Sequence, residues 1–141
     1  MAKFTLDEDD DALVDFLLIG ISSHAKIYRL CWSLNQVMRL KLANTNKPIE
    51  IIDNRKKIKL VFDVYNYPDE ETRIDFYLMP NKHANGFLLP ELKHIDYLMM
   101  LKENLLVNTD DVIGKLRLSD QVLTAFEINT QEVRSIENLL F

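Results

Sequence analysis

The sequence predicts an α+β fold: a mostly antiparallel sheet of five to seven strands, with a long helix and a shorter C-terminal helix packed on it. Three patterns predict this class. Two segments alternate apolar and polar residues with a period of two, two others are apolar on both faces, and one repeats apolar residues at helical spacing. We expect both helices on the same face of the sheet, and a ferredoxin-like arrangement in part of the chain.

The first third of the chain contains two predicted strands and the longest predicted helix. Phe4 to Leu6 predicts a short strand, and Val14 to Ile21 is apolar on both faces, as in a central strand. A helix follows over about His24 to Leu40, with Ser22 or Ser23 as its cap. The apolar stripe of this helix consists of Ile27, Leu30, Cys31, Leu34 and Met38.

A hairpin is predicted in the middle of the chain, after a short strand over Ile49 to Ile52. Its strands are Ile58 to Asn66 and Arg73 to Met79, which both alternate with a period of two. The intervening Pro68 to Thr72 has the residue types of a turn.

The charges predict the register of this hairpin. We expect Asp63 to lie opposite Tyr77 and Tyr65 opposite Asp75. A shift by two residues would place Asp63 opposite Asp75, and directly opposed like charges are destabilising.

The rest of the chain alternates strands and short helices. Ile95 to Leu101 is apolar on both faces except for Asp96, which predicts a second central strand. The other predicted elements are a short strand over Phe87 to Leu89, a short helix capped by Asn108 or Thr109, a strand over Val122 to Ile128, and helical turns within Thr130 to Leu139.

Length and composition predict one domain over residues 1–141. The chain has 141 residues, of which 48% are apolar and 28% charged, as in ordinary globular proteins. Only three residues are glycine, which excludes a glycine-rich phosphate loop.

The cysteine count and the N-terminal charges predict a cytoplasmic protein. Cys31 is the single cysteine, so no intrachain disulfide can form. Residues 7–11 are all acidic where a secretory signal would be apolar, and no apolar run approaches the 20 or so residues of a membrane span. We therefore expect no membrane insertion.

Residues 89–97 read Leu-Pro-Glu-Leu-Lys-His-Ile-Asp-Tyr, and this segment resembles the IPExxxVDY family of uncharacterised Bacteroidota proteins. Pro90, Glu91, Asp96 and Tyr97 match the motif in type and spacing, while leucine and isoleucine replace its isoleucine and valine. Residues 15–21 with 28–35, and residues 125–128 with 137–141, also look like the family. The resemblance implies a small cytoplasmic bacterial protein and implies no activity.

The polar motif residues have two interpretations. Glu91 and Asp96 would bind backbone amides near strand ends, as structural residues do. Alternatively, Glu91, Asp96 and Tyr97, with Arg29, would line a pocket and bind a small ligand or perform acid–base chemistry.

No metal or cofactor is expected. His24, His83 and His94 do not have the spacing of zinc ligands, and Cys31 falls on the apolar stripe of the helix. The acidic run resembles a calcium loop only in charge, because the required glycine and glutamate are absent.

One basic cluster is the basis for a nucleic-acid hypothesis. It consists of Arg55, Lys56, Lys57 and Lys59. This cluster could contact an RNA backbone, but the net charge of −5 makes the whole chain a poor partner for nucleic acid, so direct contact is not expected.

A second stripe on the long helix is the candidate interface. It consists of Tyr28, Trp32, Asn35 and Arg39, which recur at helical spacing. Tyrosine, tryptophan and arginine are enriched at interface hot spots, although the aromatic rings could equally cover the edge of the sheet.

These observations favour a non-catalytic protein-interaction module or an accessory subunit of a housekeeping assembly, whose partner is another protein or a second copy. The first alternative is an enzyme or ligand binder using the Glu91, Asp96 and Tyr97 motif. The second is an RNA-associated factor using Arg55 to Lys59.

Overall fold

The computed structural model describes residues 15–141. The predicted strand over Phe4 to Leu6 and the acidic run Asp7 to Asp11 lie outside these residues. The elements, in chain order, are β1 (Phe16–Ser22), α1 (Ile27–Met38), β2 (Ala43–Asn44), β3 (Ile49–Asp53), β4 (Ile58–Phe62), β5 (Tyr65–Asp69), β6 (Ile74–Pro80), β7 (Lys82–His83), β8 (Gly86–Phe87), a 3₁₀ helix (Pro90–Leu92), β9 (Tyr97–Lys102), α2 (Thr109–Leu116), β10 (Thr124–Ile128) and two further 3₁₀ helices (Thr130–Glu132 and Arg134–Leu139).

Six of the strands form one antiparallel sheet in the order β10-β1-β9-β6-β5-β2, which confirms the predicted α+β class. β1 and β9 are central, as their apolar sequences predicted. Leu18 in β1 pairs with Met100 on one side and with Ile128 on the other. Two small two-stranded sheets, β3-β4 and β7-β8, complete the strand pairing.

The sheet is buried on both faces, which explains why its central strands are continuously apolar. On one face, α1 and α2 pack together against alternate sheet residues, among them Ile19, Phe76 and Met99. On the other face, Leu18 and Met100 pack against Phe62 of the β3-β4 hairpin and Leu139 of the C-terminal 3₁₀ helix. The two helices therefore lie on the same face of the sheet.

Helix α1 is shorter than its predicted span of His24 to Leu40. Ser23 does not cap it: its hydroxyl accepts a hydrogen bond from the amide of Ala25, and extended Lys26 occupies the N-cap position. At the other end Arg39 adopts a left-handed conformation, with φ 55°, which ends the helix. The predicted stripe is correct at its centre, where Leu30, Cys31 and Leu34 are buried.

The predicted hairpin register is wrong. The segment Ile58 to Asn66 divides after Phe62: β4 pairs with β3, and β5 pairs with β6. Asn66, not Asp63, lies opposite Tyr77, and Pro68, not Tyr65, lies opposite Asp75.

The turn between β5 and β6 explains why the observed register differs from the predicted one. The carboxylate of Asp69 accepts hydrogen bonds from the Glu71 amide and the Thr72 hydroxyl, and Arg73 has a φ of 62°. The connection therefore begins after Asp69 and includes Arg73, and Pro68 is part of the strand.

The shorter elements follow the sequence predictions with adjusted bounds. Asn108 caps α2 by accepting a hydrogen bond from the Asp110 amide. The strand predicted over Phe87 to Leu89 is β8, which ends at Phe87. No helix in the described part of the chain is long and apolar enough to span a membrane.

Candidate functional site

The first half of the motif binds the C-terminal segment. Pro90 begins a 3₁₀ helix, where its fixed φ and missing N–H are tolerated. The Glu91 side chain leaves this turn, and its Oε1 accepts hydrogen bonds from the backbone N–H of Ser135, at 3.1 Å, and from the Ser135 hydroxyl, at 2.5 Å. Glu91 thus binds the start of the last 3₁₀ helix.

The second half of the motif holds the loop before α1. Asp96 Oδ2 accepts a hydrogen bond from the Ser23 amide at 2.9 Å, and its Oδ1 forms an ion pair with Lys82 Nζ at 2.7 Å. The Tyr97 hydroxyl donates to the carbonyl of Ala25. Burial, with a smaller contribution from the negative charge of Asp96, raises the pKa of Tyr97, which keeps this donor protonated.

Sequence reasoning missed Asn81, the residue that organises the motif segment. Its side chain is fully buried and makes three hydrogen bonds: Oδ1 accepts from the Leu89 amide, and Nδ2 donates to the carbonyls of Leu92 and Ile95. Its backbone also bonds Leu88 and Asp96. A single asparagine between a proline and a lysine has no spacing pattern that would have identified it.

Among the described residues, no side-chain hydrogen bond or ion pair joins Arg29 to Glu91, Asp96 or Tyr97. Arg29 lies on α1 and lines a cavity of about 490 Å³ whose lining residues do not include Glu91, Asp96 or Tyr97. The four groups of the enzyme or ligand-binding alternative therefore do not share this cavity, and the carboxylates of Glu91 and Asp96 already bind groups of the protein itself.

We call this cavity the Trp32 pocket. Its lining residues are Tyr28, Arg29, Trp32, Ser33, Asp120 and Gln121. Tyr28 and Trp32 lie one turn apart on α1 and are 64% and 66% exposed. The loop after α2 forms the opposite wall, and it also carries two exposed leucines, Leu118 at 69% and Leu123 at 60%.

The two walls of the Trp32 pocket are joined at its base. The hydroxyls of Ser33 and Ser119 form a buried hydrogen bond of 2.6 Å, which links α1 to the loop after α2. The Ser119 hydroxyl also accepts a hydrogen bond from the Gln121 amide. The loop that carries Asp120 and Gln121 is therefore fixed against the helix that carries the aromatic rings.

The other two residues of the predicted interface stripe have different surroundings. Asn35 exchanges two hydrogen bonds with the backbone of Leu42, so it holds the chain that follows α1. Arg39 ends the helix and lines a second cavity of about 500 Å³, together with Asp69, Asp111 and Lys115. Only Tyr28 and Trp32 of the stripe belong to the Trp32 pocket.

Arg55, Lys56 and Lys57 of the basic cluster lie on the β3-β4 turn and Lys59 lies in β4; two of the four side chains already have partners. Lys56 Nζ donates to the carbonyl of Asn85 at 3.0 Å, and Lys59 pairs with Glu50 at 3.4 Å. The turn itself is held by Asp53, whose carboxylate accepts from the amides of Arg55 and Lys56.

Cys31 is a core residue. It is buried, and burial raises the pKa of its thiol to about 11. Its Sγ contacts the carbonyl of Leu42 at 3.5 Å.

Among residues 15–141, no three His, Cys, Asp or Glu side chains are grouped so that they could hold a metal ion.

Comparison with known proteins provides no relative from which a function could be transferred. No family model matches the chain, and neither the curated proteins nor the solved structures include a match.

Proposed function

We propose that this protein is a non-catalytic interaction module of the bacterial cytoplasm, an accessory subunit that docks a partner protein through the Trp32 pocket. The exposure of Trp32 and Tyr28 side by side carries this proposal. Tryptophan and tyrosine are the residues most often found at the energetic centre of protein interfaces.

The core does not require these two rings, which supports a role in binding. The helix side of the core is formed by Leu30, Cys31 and Leu34 on α1 and by residues of α2 and the sheet. Exposed aromatic rings contribute little to folding, whereas covering them in an interface recovers the hydrophobic free energy.

The motif has a place in this proposal as the support of the docking helix. Asp96 and Tyr97 bind the backbone of Ser23 and Ala25, immediately before α1 begins. They fix the start of the helix that carries Tyr28 and Trp32. The proposal also includes the resemblance of residues 89–97 to the IPExxxVDY family.

The connectivity supports a ferredoxin-like core. Strands β1, β6, β9 and β10 are neighbours in the order β10-β1-β9-β6, with α1 after β1 and α2 between β9 and β10. We propose that these elements form a β-α-β-β-α-β unit, with β2 to β5 inserted after α1 and β7, β8 and a 3₁₀ helix inserted between β6 and β9.

The first experiment asks whether Trp32 belongs to the core or to an interface. We expect Trp32→Ala to leave the free energy of unfolding within about 1 kcal/mol of wild type, because the ring is already mostly exposed. Leu34→Ala, at a fully buried position on the same helix, is the matched control and should cost about 2–5 kcal/mol. A loss of that size in Trp32→Ala would overturn the proposal.

The second experiment identifies the partner. A photo-crosslinking amino acid at position 28, introduced in the native host, should give a discrete crosslinked protein or a crosslinked second copy. The same group at exposed Glu70 should not give that product, and Trp32→Ala should abolish it. If position 28 gives only products that Glu70 also gives, the pocket is not a docking surface.

A further inference from the structure

We infer that the Trp32 pocket receives a basic side chain, arginine or lysine, from the partner protein. This inference rests on the proposed docking function and specifies its chemistry. The aromatic wall of the pocket and the carboxylate on its opposite wall both favour a cation.

The aromatic wall suits a cation. Tyr28 and Trp32 present two exposed rings one helical turn apart, and both line the same cavity. The face of an aromatic ring attracts ammonium and guanidinium groups, and tryptophan does so most strongly. An arginine side chain can also lay its apolar stem along such a surface.

The opposite wall supplies a carboxylate. Asp120 is exposed, and no ion pair within 4.0 Å engages it among the described residues. Its Oδ1 accepts a hydrogen bond of 3.2 Å from the side-chain Nε2 of the neighbouring Gln121. The carboxylate can therefore accept a charge-assisted hydrogen bond from a guanidinium or ammonium that also contacts the rings.

Among residues 15–141, Arg29 is the only cationic group that lines the pocket, and it lies on the helix wall with the rings. It does not pair with Asp120 within 4.0 Å in the described part of the chain. The Asp120 carboxylate is therefore not engaged by Arg29 and can accept another donor, although the positive charge of Arg29 repels an incoming cation. Residues 1–14 carry five acidic side chains and one basic side chain and so account for −4 of the net charge of −5, which leaves Asp120 and the two rings as the groups that favour a cation at the pocket.

Because Trp32 is the only tryptophan, its fluorescence and its indole N–H resonance report on this pocket alone. The probe is N-acetyl-argininamide, and its matched control is N-acetyl-citrullinamide, which has nearly the same shape without the charge. We expect the arginine probe to quench Trp32 fluorescence and shift the indole signal, with an affinity roughly two- to fivefold above that of the citrulline probe.

Two variants test whether the arginine probe binds beside Asp120 and Arg29. Asp120→Asn should lower the affinity for the arginine probe towards that of citrulline, and Arg29→Gln should raise it, because a like charge is removed. Circular dichroism of each variant checks that the fold is kept. Three results would each overturn the inference. The first is equal binding of the arginine and citrulline probes, and the second is tighter binding of N-acetyl-glutamate amide than of the arginine probe. The third is an Asp120→Asn variant whose affinity for the arginine probe is unchanged.

These outcomes are separable from the test of docking itself. If position 28 crosslinks a partner that Trp32→Ala loses, while the arginine probe binds no better than citrulline, the docking proposal stands and the basic side chain is wrong. If position 28 gives no specific product, the docking proposal fails whatever the probes do.

Discussion

The side-chain oxygen of Asn81 accepts a hydrogen bond of 2.7 Å from the backbone N–H of Leu89, at a position with no solvent exposure. The amide nitrogen of the same side chain donates to Leu92 and Ile95, at 2.8 and 3.0 Å. One buried side chain thus satisfies three backbone groups of the segment that carries the motif.

Replacement of Asn81 should therefore be severe. We expect Asn81→Ala to lower the free energy of unfolding by about 3 kcal/mol or more, because three buried backbone groups lose their partner. Asn81→Asp should be as damaging, since its carboxylate would face two carbonyl oxygens. Chemical denaturation measures both, with the exposed Asn85→Ala as a control near zero. A near-native Asn81→Asp would show that this hydrogen-bond pattern is wrong.

Asp96 should stabilise the protein through the Ser23 amide rather than through Lys82. We expect Asp96→Ala to cost about 1–3 kcal/mol, because the carboxylate side chain is only 20% exposed and its loss leaves that amide unpaired. Lys82→Ala should cost less than about 1 kcal/mol, since the lysine side chain is 48% exposed and such ion pairs are weak. Thermal melts compare the two, and an unchanged melting temperature for Asp96→Ala would contradict a structural role.

Gly114→Ala should stabilise the protein. Gly114 lies within α2, is exposed, and an added Cβ would meet no atom within 4 Å. Alanine has a lower conformational entropy in the unfolded chain, so we expect a gain of about 0.5–1 kcal/mol in the free energy of unfolding. Denaturation with urea tests this, and a loss of stability would mean that α2 packs differently at this position.

Stability should fall at alkaline pH. Burial raises the pKa of Cys31 from 9.0 to about 11, and burial together with Asp75 raises that of Tyr77 from 10.0 to about 12. Both groups ionise more easily in the unfolded chain than in the folded protein. Their contribution to the free energy of unfolding is therefore complete below pH 9 and is lost as pH rises through the pKa values of the folded protein. Denaturation between pH 8 and 12 should show this decline, which Tyr77→Phe should make shallower above pH 10. A stability that is constant over this range would contradict the prediction.

The sequence predicted the central elements because their burial is local and repeats along the chain. The pattern of apolar residues in each of these elements follows from the surface that the element packs against. Examples are the apolar runs of β1 and β9 and the helical stripe of Leu30, Cys31 and Leu34. The register of β5 and β6 was not predictable in this way. The period of two continues from Phe62 to Tyr65, while the chain leaves one sheet and enters another between them.

The candidate site was predicted only on its helix wall. Tyr28 and Trp32 stand out because large aromatic residues occupy a flank that the core does not need. Asp120 and Gln121 are remote in sequence and reach the pocket because Ser119 bonds Ser33. A contact between two serines has no sequence pattern, just as the role of Asn81 has none.

The position of β1 has a consequence for synthesis of the protein. β1 is made before both of its partners, β9 and β10, and all of β2 to β8 is made in between. Its apolar residues have no strand to pair with while the ribosome is still translating the middle of the message. β1 gains its first neighbour only when β9 has left the exit tunnel and its second only when β10 has followed, and until then its apolar residues are open to aggregation and to chaperones.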